Sequence, residues 1–239
     1  MYMGKASRPV RMGGSGGQRR RPPDQSGVAV ERQLLERHGT TYARELRADV
    51  ARDTPSALFK LLVGAILLSA RIGARQGTRA ANALFDQGWT TARKLADTSW
   101  EQRVRVLNQN GYARYDERTA SMLGDATQLL LDRWNGDLRK LREEAGRDPK
   151  RERALLRQLK GLGDVGVDIF FREVQVAWDE LYPFADRRVL EEARRLGLPG
   201  DAKALARGHD RQEFARLAAA LVRSSLAKDH DEILATAAR

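Results

Sequence analysis

The sequence contains no cysteine among its 239 residues, and this absence removes several classes of protein from consideration. Without a thiol the chain forms no disulfide, binds neither zinc nor an iron–sulfur cluster through cysteine, and has no cysteine nucleophile. Histidine is scarce as well. The three histidines, His38, His209 and His230, lie far apart with no carboxylate at ligand spacing, so we expect surface positions and no metal site.

Long apolar runs are also missing. The longest one, residues 61–70, has about half the length that a membrane-spanning helix needs. The N-terminal residues are rich in arginine and glycine, where a secretory signal would have an apolar stretch. We therefore expect a cytoplasmic protein that does not contact a membrane.

Acidic residues are outnumbered, because 43 Lys and Arg stand against 32 Asp and Glu, which gives a formal charge of +11 at pH 7. Six of the cations and only one acid, Asp24, fall in residues 1–27, together with a Gly-Gly-Ser-Gly-Gly run. Such a segment buries too little apolar surface to offset the entropy of ordering, so we predict a disordered basic tail there. The rest of the chain is still basic, which favours a polyanionic partner, above all nucleic acid.

Strand-like alternation is absent, whereas apolar residues recur at helical spacing from residue 28 onward. This pattern predicts an all-α protein. Asp53-Thr54-Pro55 opens a helix through residue 71 that is apolar on every side and should lie in the middle of the core. Ser99 and Gln102 have capping-box spacing. Further helices are predicted over residues 116–134, from Asp148-Pro149 onward, and over about 187–196, 211–227 and 229–238.

Residues 153–178 predict two helices joined by a tight turn, Lys160-Gly161-Leu162-Gly163-Asp164. Glycines on both sides of one leucine permit a sharp reversal and a close approach of other groups, because neither glycine has a Cβ. The free amides at the start of the second helix add to those of the turn. Such an arrangement binds a phosphate without reading base sequence, although a packed turn with no ligand has the same pattern.

Together with residues upstream and downstream, this turn resembles the motif of the helix-hairpin-helix, Gly/Pro-rich loop, Asp (HhH-GPD) superfamily of DNA base-excision glycosylases, in particular its endonuclease III branch. Leu159-Lys160-Gly161-Leu162-Gly163 stands where the family has Leu-Pro-Gly-Val-Gly. The Pro-containing segment 181–185 and Asp186 match the family's loop and aspartate. Leu67-Leu68-Ser69-Ala70-Arg71 is similar to the Leu-Leu-Ser-Ala-Gln that ends a buried helix in endonuclease III. The resemblance covers about residues 50–200.

The chain departs from the family pattern at three places. Endonuclease III has its Schiff-base lysine two residues after the second hairpin glycine, where this chain has Val165. The family's C-terminal four-cysteine iron–sulfur loop is missing, and the wedge position that is usually glutamine is Arg71. The resemblance therefore implies a monofunctional enzyme that uses the aspartate and a water.

The resemblance also implies roles for individual residues. Asp186 is the expected catalytic carboxylate, which stabilises an oxocarbenium-like sugar or activates the attacking water; the other interpretation is an ordinary helix N-cap. Arg71 would fill the gap left by a flipped nucleotide, or would be a solvated helix end. Asp168 receives no role, since a carboxylate there opposes DNA binding unless an arginine such as Arg172 pairs with it. The expected DNA contacts are Lys160, Gly161, Leu162, Gly163, Asp164, Arg71 and Arg187.

The implied architecture is a tail (1–27), a terminal lobe (28–70 and 186–239) and a central bundle (71–185) that contains the hairpin. The lesion pocket should lie between the two lobes. Aromatic residues that could form its walls are Tyr112, Tyr115, Trp178 and Tyr182. No organic cofactor is expected, although family hairpins can hold a monovalent cation.

These features lead us to expect a monomeric DNA glycosylase, associated with the nucleoid, that flips a damaged or mismatched base from duplex DNA and hydrolyses its N-glycosidic bond. Two alternatives stay open. One is a non-catalytic helix-hairpin-helix DNA-binding protein, and the other is a bifunctional glycosylase and lyase that uses Lys160. The sequence does not select among oxidised pyrimidine, alkylated purine, deaminated base and mismatch.

Overall fold

A computed structural model describes residues 25–70 and 72–238, and this part of the chain is helical with no β-strand. The all-α prediction is confirmed. Short helical turns over Val50–Arg52, Asn108–Tyr112 and Asp179–Leu181 connect some of the α-helices. The α-helices are α1 (Gln25–His38), α2 (Tyr42–Glu45), α3 (Pro55–Leu68), α4 (Ala74–Asp86), α5 (Ala92–Ala96), α6 (Trp100–Leu107), α7 (Asp116–Trp134), α8 (Leu138–Glu144), α9 (Pro149–Leu156), α10 (Asp164–Val174), α11 (Arg187–Arg195), α12 (Ala202–Leu205), α13 (Arg211–Ala227) and α14 (His230–Ala237).

Local sequence signals locate many of the helix ends. Thr54 caps α3 with its side chain, and Pro55 is the first residue of that helix. Ser99 and Gln102 form the predicted capping box of α6. Asn135 ends α7 in the left-handed conformation, with φ of 54°. These caps satisfy backbone groups that a helix end otherwise leaves unpaired.

The larger of two hydrophobic cores surrounds α3. Ten of its 14 residues are buried, and different sides of the helix pack against α4, α7, α8 and α10. Burial of one side chain such as Leu62 stabilises the fold by about 2 kcal/mol. The predicted central position of this helix is confirmed, although the helix ends at Leu68 rather than at residue 71.

The smaller core joins α1 to the C-terminal helices. Val30 and Leu34 of α1 pack with residues of α11, α13 and α14. The boundary differs from the predicted one for residues 42–70, which belong to the larger core and not to the terminal lobe. The physical reason is that α3 is apolar on every side, so it needs neighbours all round, whereas α1 has one apolar stripe that the C-terminal helices cover.

The chain passes from the larger core to the smaller one at residues 182–186. Phe184 packs against the larger core, while Tyr182 and Ala185 pack against the smaller one. Asp186 therefore lies where the chain passes between the two cores.

The predicted tail falls almost entirely on residues 1–24, which lie outside the described residues. Helix α1 begins at Gln25, three residues before the predicted start of ordered structure. In the described part of the chain, no helix combines the length and the apolar character that crossing a bilayer requires.

Candidate functional site

A cleft of about 960 Å³ opens between the two lobes. Its walls are residues 68–70 and 72–74 after α3, one face of α10, the first turn of α11, the end of α13, and His38 and Tyr42 on either side of the α1–α2 connection. We call this space the interlobe cleft. Because five separated segments of the chain supply its walls, no local sequence pattern could have described it.

The predicted hairpin is present, with α9 and α10 on either side of a turn that buries Leu162 (2% exposed). Gly161 has φ of +86°, and a Cβ added there would lie 3.1 Å from Ile66 Cγ2. Gly163 faces open space, since no described atom lies within 4 Å of an added Cβ. No described side chain caps α10, so its first amides are free to meet an outside anion.

Charges of both signs surround this hairpin. Asp164, in the first turn of α10, lies 3.4 Å from Arg157, and Arg153 donates a hydrogen bond of 2.5 Å to Asp168. Asp168 thus pairs with an arginine, but the partner is Arg153 and not Arg172. Arg172 instead points to the buried side of α10, where its partner is a different carboxylate.

That partner is Asp186, which the structure places on the wall of the interlobe cleft. Asp186 Oδ1 caps α11 by accepting hydrogen bonds from the amides of Arg188 (2.9 Å) and Val189 (3.2 Å). Asp186 Oδ2 accepts a hydrogen bond of 2.7 Å from Arg172 Nη1. Both interpretations of Asp186 thus gain a structural basis, because the carboxylate caps a helix and also lies at the cleft.

The ion pair between Asp186 and Arg172 is almost sealed from solvent, with side chains that are 7% and 4% exposed. Arg172 Nε has no described hydrogen-bond partner. Sequence reasoning missed Arg172 as the partner of Asp186, since the two lie on different elements. The pair holds the carboxylate in one orientation and also partly neutralises its charge.

Val165, in the position of the family's lysine, lies on the cleft wall and is 62% exposed. Leu226 on α13, from the other lobe, also lines the cleft and is 51% exposed. Large apolar side chains this exposed are few in the described chain. The cleft therefore combines apolar exposed side chains with ionic groups such as Arg172 and Asp186.

The smaller lobe adds polar groups that the sequence analysis missed. His38 lines the cleft, and its Nε2 lies 2.8 Å from Asp229 Oδ2. The guanidinium of Arg223 stacks over the ring of Tyr42 at 4.4 Å, and both residues line the cleft. Burial raises the pKa of Tyr42.

The expectation of surface histidines is wrong. His38 is only 18% exposed, His209 lies 3.2 Å from Glu31 and is 17% exposed, and His230 is 24% exposed beside Glu192. Each one lies near a carboxylate from another helix, which no spacing in the sequence could reveal.

The aromatic residues proposed as pocket walls lie elsewhere. Tyr112 is buried and donates a hydrogen bond to the carbonyl of Leu67, and Tyr115 packs against Tyr112. Trp178 is buried in the larger core. Tyr182 packs against the smaller core and donates to the carbonyl of His209. None of the four lines the interlobe cleft, whose aromatic residue among those described is Tyr42.

The other residues predicted to contact DNA lie partly on the wall of the interlobe cleft and partly outside it. Ser69 and Ala70 of the Leu-Leu-Ser-Ala motif line the cleft, whereas Arg71 lies outside the described residues. Arg187 lines the cleft, is 90% exposed and donates to Glu191. Lys160 belongs to the turn and is not among the residues that line the cleft.

A second ionic cluster lies under α9, away from the cleft. Glu152 is fully buried, and burial and the neighbouring Glu180 raise the pKa of its carboxyl to about 8. Burial opposes ionisation of Glu180, but its interactions with Arg142 and with the neighbouring Glu152 outweigh it and lower the pKa of Glu180 to about 2. Arg142 donates two hydrogen bonds of 2.6 Å to Glu180. Both carboxyl oxygens of Glu152 are buried without a hydrogen-bond partner among the described residues. The protonated form of Glu152 is therefore favoured beside an ionised Glu180.

In the described part of the chain, no group of three or more histidine, aspartate or glutamate side chains is arranged to hold a metal ion. A monovalent cation at the hairpin, which the family resemblance allows, would be bound by backbone carbonyls and not by these side chains.

Two of the solved structures that are similar to this chain are complexes of endonuclease III with DNA. No family model and no curated protein matches the chain. A trapped covalent intermediate of endonuclease III with DNA, an estranged-adenine complex, is similar over 68% of this chain and 71% of that chain, with 20% identity and a TM-score of 0.44. A non-covalent endonuclease III–DNA complex is similar over 72% of this chain and 73% of that chain, with 19% identity and a TM-score of 0.46. Neither likeness assigns an activity to this chain.

Proposed function

We propose that this protein is a DNA glycosylase that hydrolyses the N-glycosidic bond of a damaged or mismatched base with Asp186. The observation that carries the proposal is the position of the Asp186 carboxylate, fixed by two backbone amides and Arg172 on the wall of a cleft beside the hairpin helix α10. The substrate is duplex DNA, and no organic cofactor takes part. The basic charge of the chain agrees with a polyanionic substrate.

The hairpin holds the DNA backbone in this proposal. The open amides at the start of α10, next to Gly163, donate hydrogen bonds to a phosphate oxygen, and no Cβ blocks the approach. The target base leaves the duplex and enters the interlobe cleft. There its faces meet apolar side chains such as Val165 and Leu226.

Hydrolysis then takes place at C1′ of the flipped nucleotide. The bond between C1′ and the base nitrogen breaks, and its electron pair leaves with the base. The Asp186 carboxylate stabilises the cationic sugar while a water forms the new C1′–O bond and releases a proton to solvent, and the departing base takes up a proton. The products are the free base and an abasic site.

We infer that the enzyme is monofunctional, because Val165 has no amine that could form a Schiff base with the sugar. Lys160 is an unfavourable substitute, since it belongs to the hairpin turn and does not line the cleft. The DNA strand should stay intact until alkali is added.

A second candidate is a non-catalytic DNA-binding protein, and one observation favours it. Both oxygens of Asp186 already have protein partners, so a purely structural role would account for the residue. In this case the hairpin would bind the DNA backbone and the cleft would perform no chemistry.

Single-turnover base excision on a panel of lesion-bearing duplexes, scored by alkali-revealed cleavage, separates the two candidates. We expect Asp186→Asn to lower the excision rate by roughly 10²-fold or more while binding to the same duplex survives. Arg172→Met keeps the carboxylate but removes one of the groups that fix its orientation, so we expect a smaller loss of excision than in Asp186→Asn. Equal loss in both variants, or no excision of any lesion by the wild type, would leave Asp186 as a helix cap and favour the second candidate.

A further inference from the structure

One polar side chain on the wall of the interlobe cleft, His38, takes no part in the hydrolysis by Asp186. His38, the last residue of α1, lines the cleft together with Asp186, but it comes from the smaller lobe. Its Nε2 lies 2.8 Å from Asp229 Oδ2, and the pair is largely buried, with side chains that are 18% and 13% exposed. Nδ1, the other ring nitrogen, has no hydrogen-bond partner among the described residues.

Asp229 is well suited to hold this imidazole. It also accepts a hydrogen bond of 3.1 Å from Arg37, so the carboxylate has a fixed position. Burial opposes ionisation of Asp229, but hydrogen bonds from His38 and Arg37 outweigh it and lower the pKa of this carboxyl. An ionised Asp229 fixes Nε2 as the donor nitrogen and leaves Nδ1 as the nitrogen that can exchange a proton with a ligand.

Several elements around His38 carry charged or titratable groups, some of which favour protonation of the imidazole while others oppose it. Positive groups oppose protonation of the imidazole and carboxylates favour it. On the same side of the cleft these groups are Arg37 on α1, Tyr42 on α2, Arg223 on α13, and Asp229 and Glu232 at α14. On the other walls of the cleft they are Asp168, Arg172, Asp186, Arg187, Arg188 and Glu191. Asp229 is the group that holds the ring by a hydrogen bond.

We propose that His38 is the general acid that protonates the departing base, and that Asp229 is its positioning residue. This inference rests on the proposed glycosylase function. As the C1′–N bond breaks, the electron pair stays on the base, and Nδ1–H of the imidazolium donates its proton to that base. A water supplies the oxygen for C1′, and its released proton restores the imidazolium through solvent.

Chemistry predicts which substrates need this acid. An uncharged base leaves as a poor anion unless it is protonated, whereas a base that alkylation has made cationic leaves as a neutral molecule. A general acid contributes roughly 10²–10⁴-fold to a rate when the leaving group needs a proton. His38 therefore matters for uncharged lesions and not for cationic ones.

The chain offers a matched control for this test. His209 also lies beside a carboxylate of another helix, Glu31 at 3.2 Å, and its side chain is as buried as that of His38. It does not line the interlobe cleft. His38→Gln keeps an amide that can still donate to Asp229, and His209→Gln makes the same change away from the cleft.

The experiment measures single-turnover excision by the full chain from pH 5 to 8, on the uncharged lesion that the wild type releases fastest and on a cationic alkylated base. We expect the wild-type rate on the uncharged lesion to fall as pH rises, because a general acid must carry its proton to act. His38→Gln should lower that rate by about 10²-fold and remove this dependence, with the cationic base unaffected. His209→Gln should behave as the wild type does.

Each other result overturns the inference. An equal loss on both bases would show that His38 supports the structure of the cleft, and an unchanged rate on both would show that it has no part in excision. A wild type that releases only cationic bases needs no acid. If Asp186→Asn still abolishes excision in these cases, the proposed function stands without His38; if the wild type excises nothing, both proposals fall.

Discussion

Asp186 and Arg172 form a buried ion pair whose removal should be costly to the fold. If Asp186 were only a helix cap, Asp186→Asn would change stability by less than about 1 kcal/mol, because asparagine caps helices about as well as aspartate. The asparagine, however, has one acceptor oxygen for two tasks, so either the cap or the bond to Arg172 is lost. Since both side chains are less than one-tenth exposed, we expect the unfolding free energy to fall by about 2–4 kcal/mol.

A double-mutant cycle isolates the pair. Arg172→Met leaves the Asp186 carboxylate buried without its cation, and we expect a loss of about 3 kcal/mol. The double variant, Asp186→Asn with Arg172→Met, no longer leaves a buried charge without its partner. Its loss should therefore be smaller than the sum of the single losses, by about 2 kcal/mol.

Urea unfolding at pH 7, followed by circular dichroism, provides the four free energies and their m-values. Arg187→Ala is the control, since Arg187 neighbours Asp186 but is 90% exposed, and solvent screens its pair with Glu191, so we expect stability to stay close to that of the wild type. Additive losses, or a loss below about 1 kcal/mol for Asp186→Asn, would refute the reasoning that the ion pair is desolvated and coupled.

Three further changes test other parts of the structure. Gly161→Ala should cost about 1–3 kcal/mol in urea unfolding because of its positive φ and the close Ile66, whereas Gly163→Ala should leave stability unchanged and weaken duplex binding in a gel shift; the opposite order would contradict the open hairpin. Val165→Lys places an amine on the cleft wall, so borohydride should trap a covalent complex with lesion DNA that the wild type does not form. The pKa of Glu152 is about 8 in the folded protein, above its pKa in the unfolded chain. Protonation of Glu152 therefore stabilises the fold fully at pH values below the unfolded-state pKa, and this stabilisation is lost as pH rises toward 8. Glu152→Gln mimics the protonated form, so its melting temperature should decline less than that of the wild type between about pH 5 and 8; parallel profiles would contradict the raised pKa of Glu152.

Much of the secondary structure follows from the sequence because its causes are local. The capping box at Ser99, the Thr54-Pro55 helix start and the left-handed Asn135 each depend on residues within one turn of the helix end. The apolar character of α3 likewise predicts its central position, since a helix without a polar face must be covered on all sides.

The hairpin lies between local and tertiary control. Its two glycines and buried leucine identify the turn from the sequence. The requirement for glycine at position 161, however, also depends on Ile66 and Met122, which come from other helices and approach an added Cβ to 3.1 Å.

Only the tertiary structure decided which groups face one another. Asp186 pairs with Arg172. His38 pairs with Asp229, which is 191 positions further along the chain. Packing also decided that residues 42–70 belong to the larger core. It placed Tyr42 on the cleft wall and the four predicted aromatic residues elsewhere. The sequence by itself determined the helices, their caps and the hairpin, because these depend on neighbours along the chain. The cleft and its ion pairs depend on how two cores meet, and the free energy of that contact is distributed over residues far apart in the sequence.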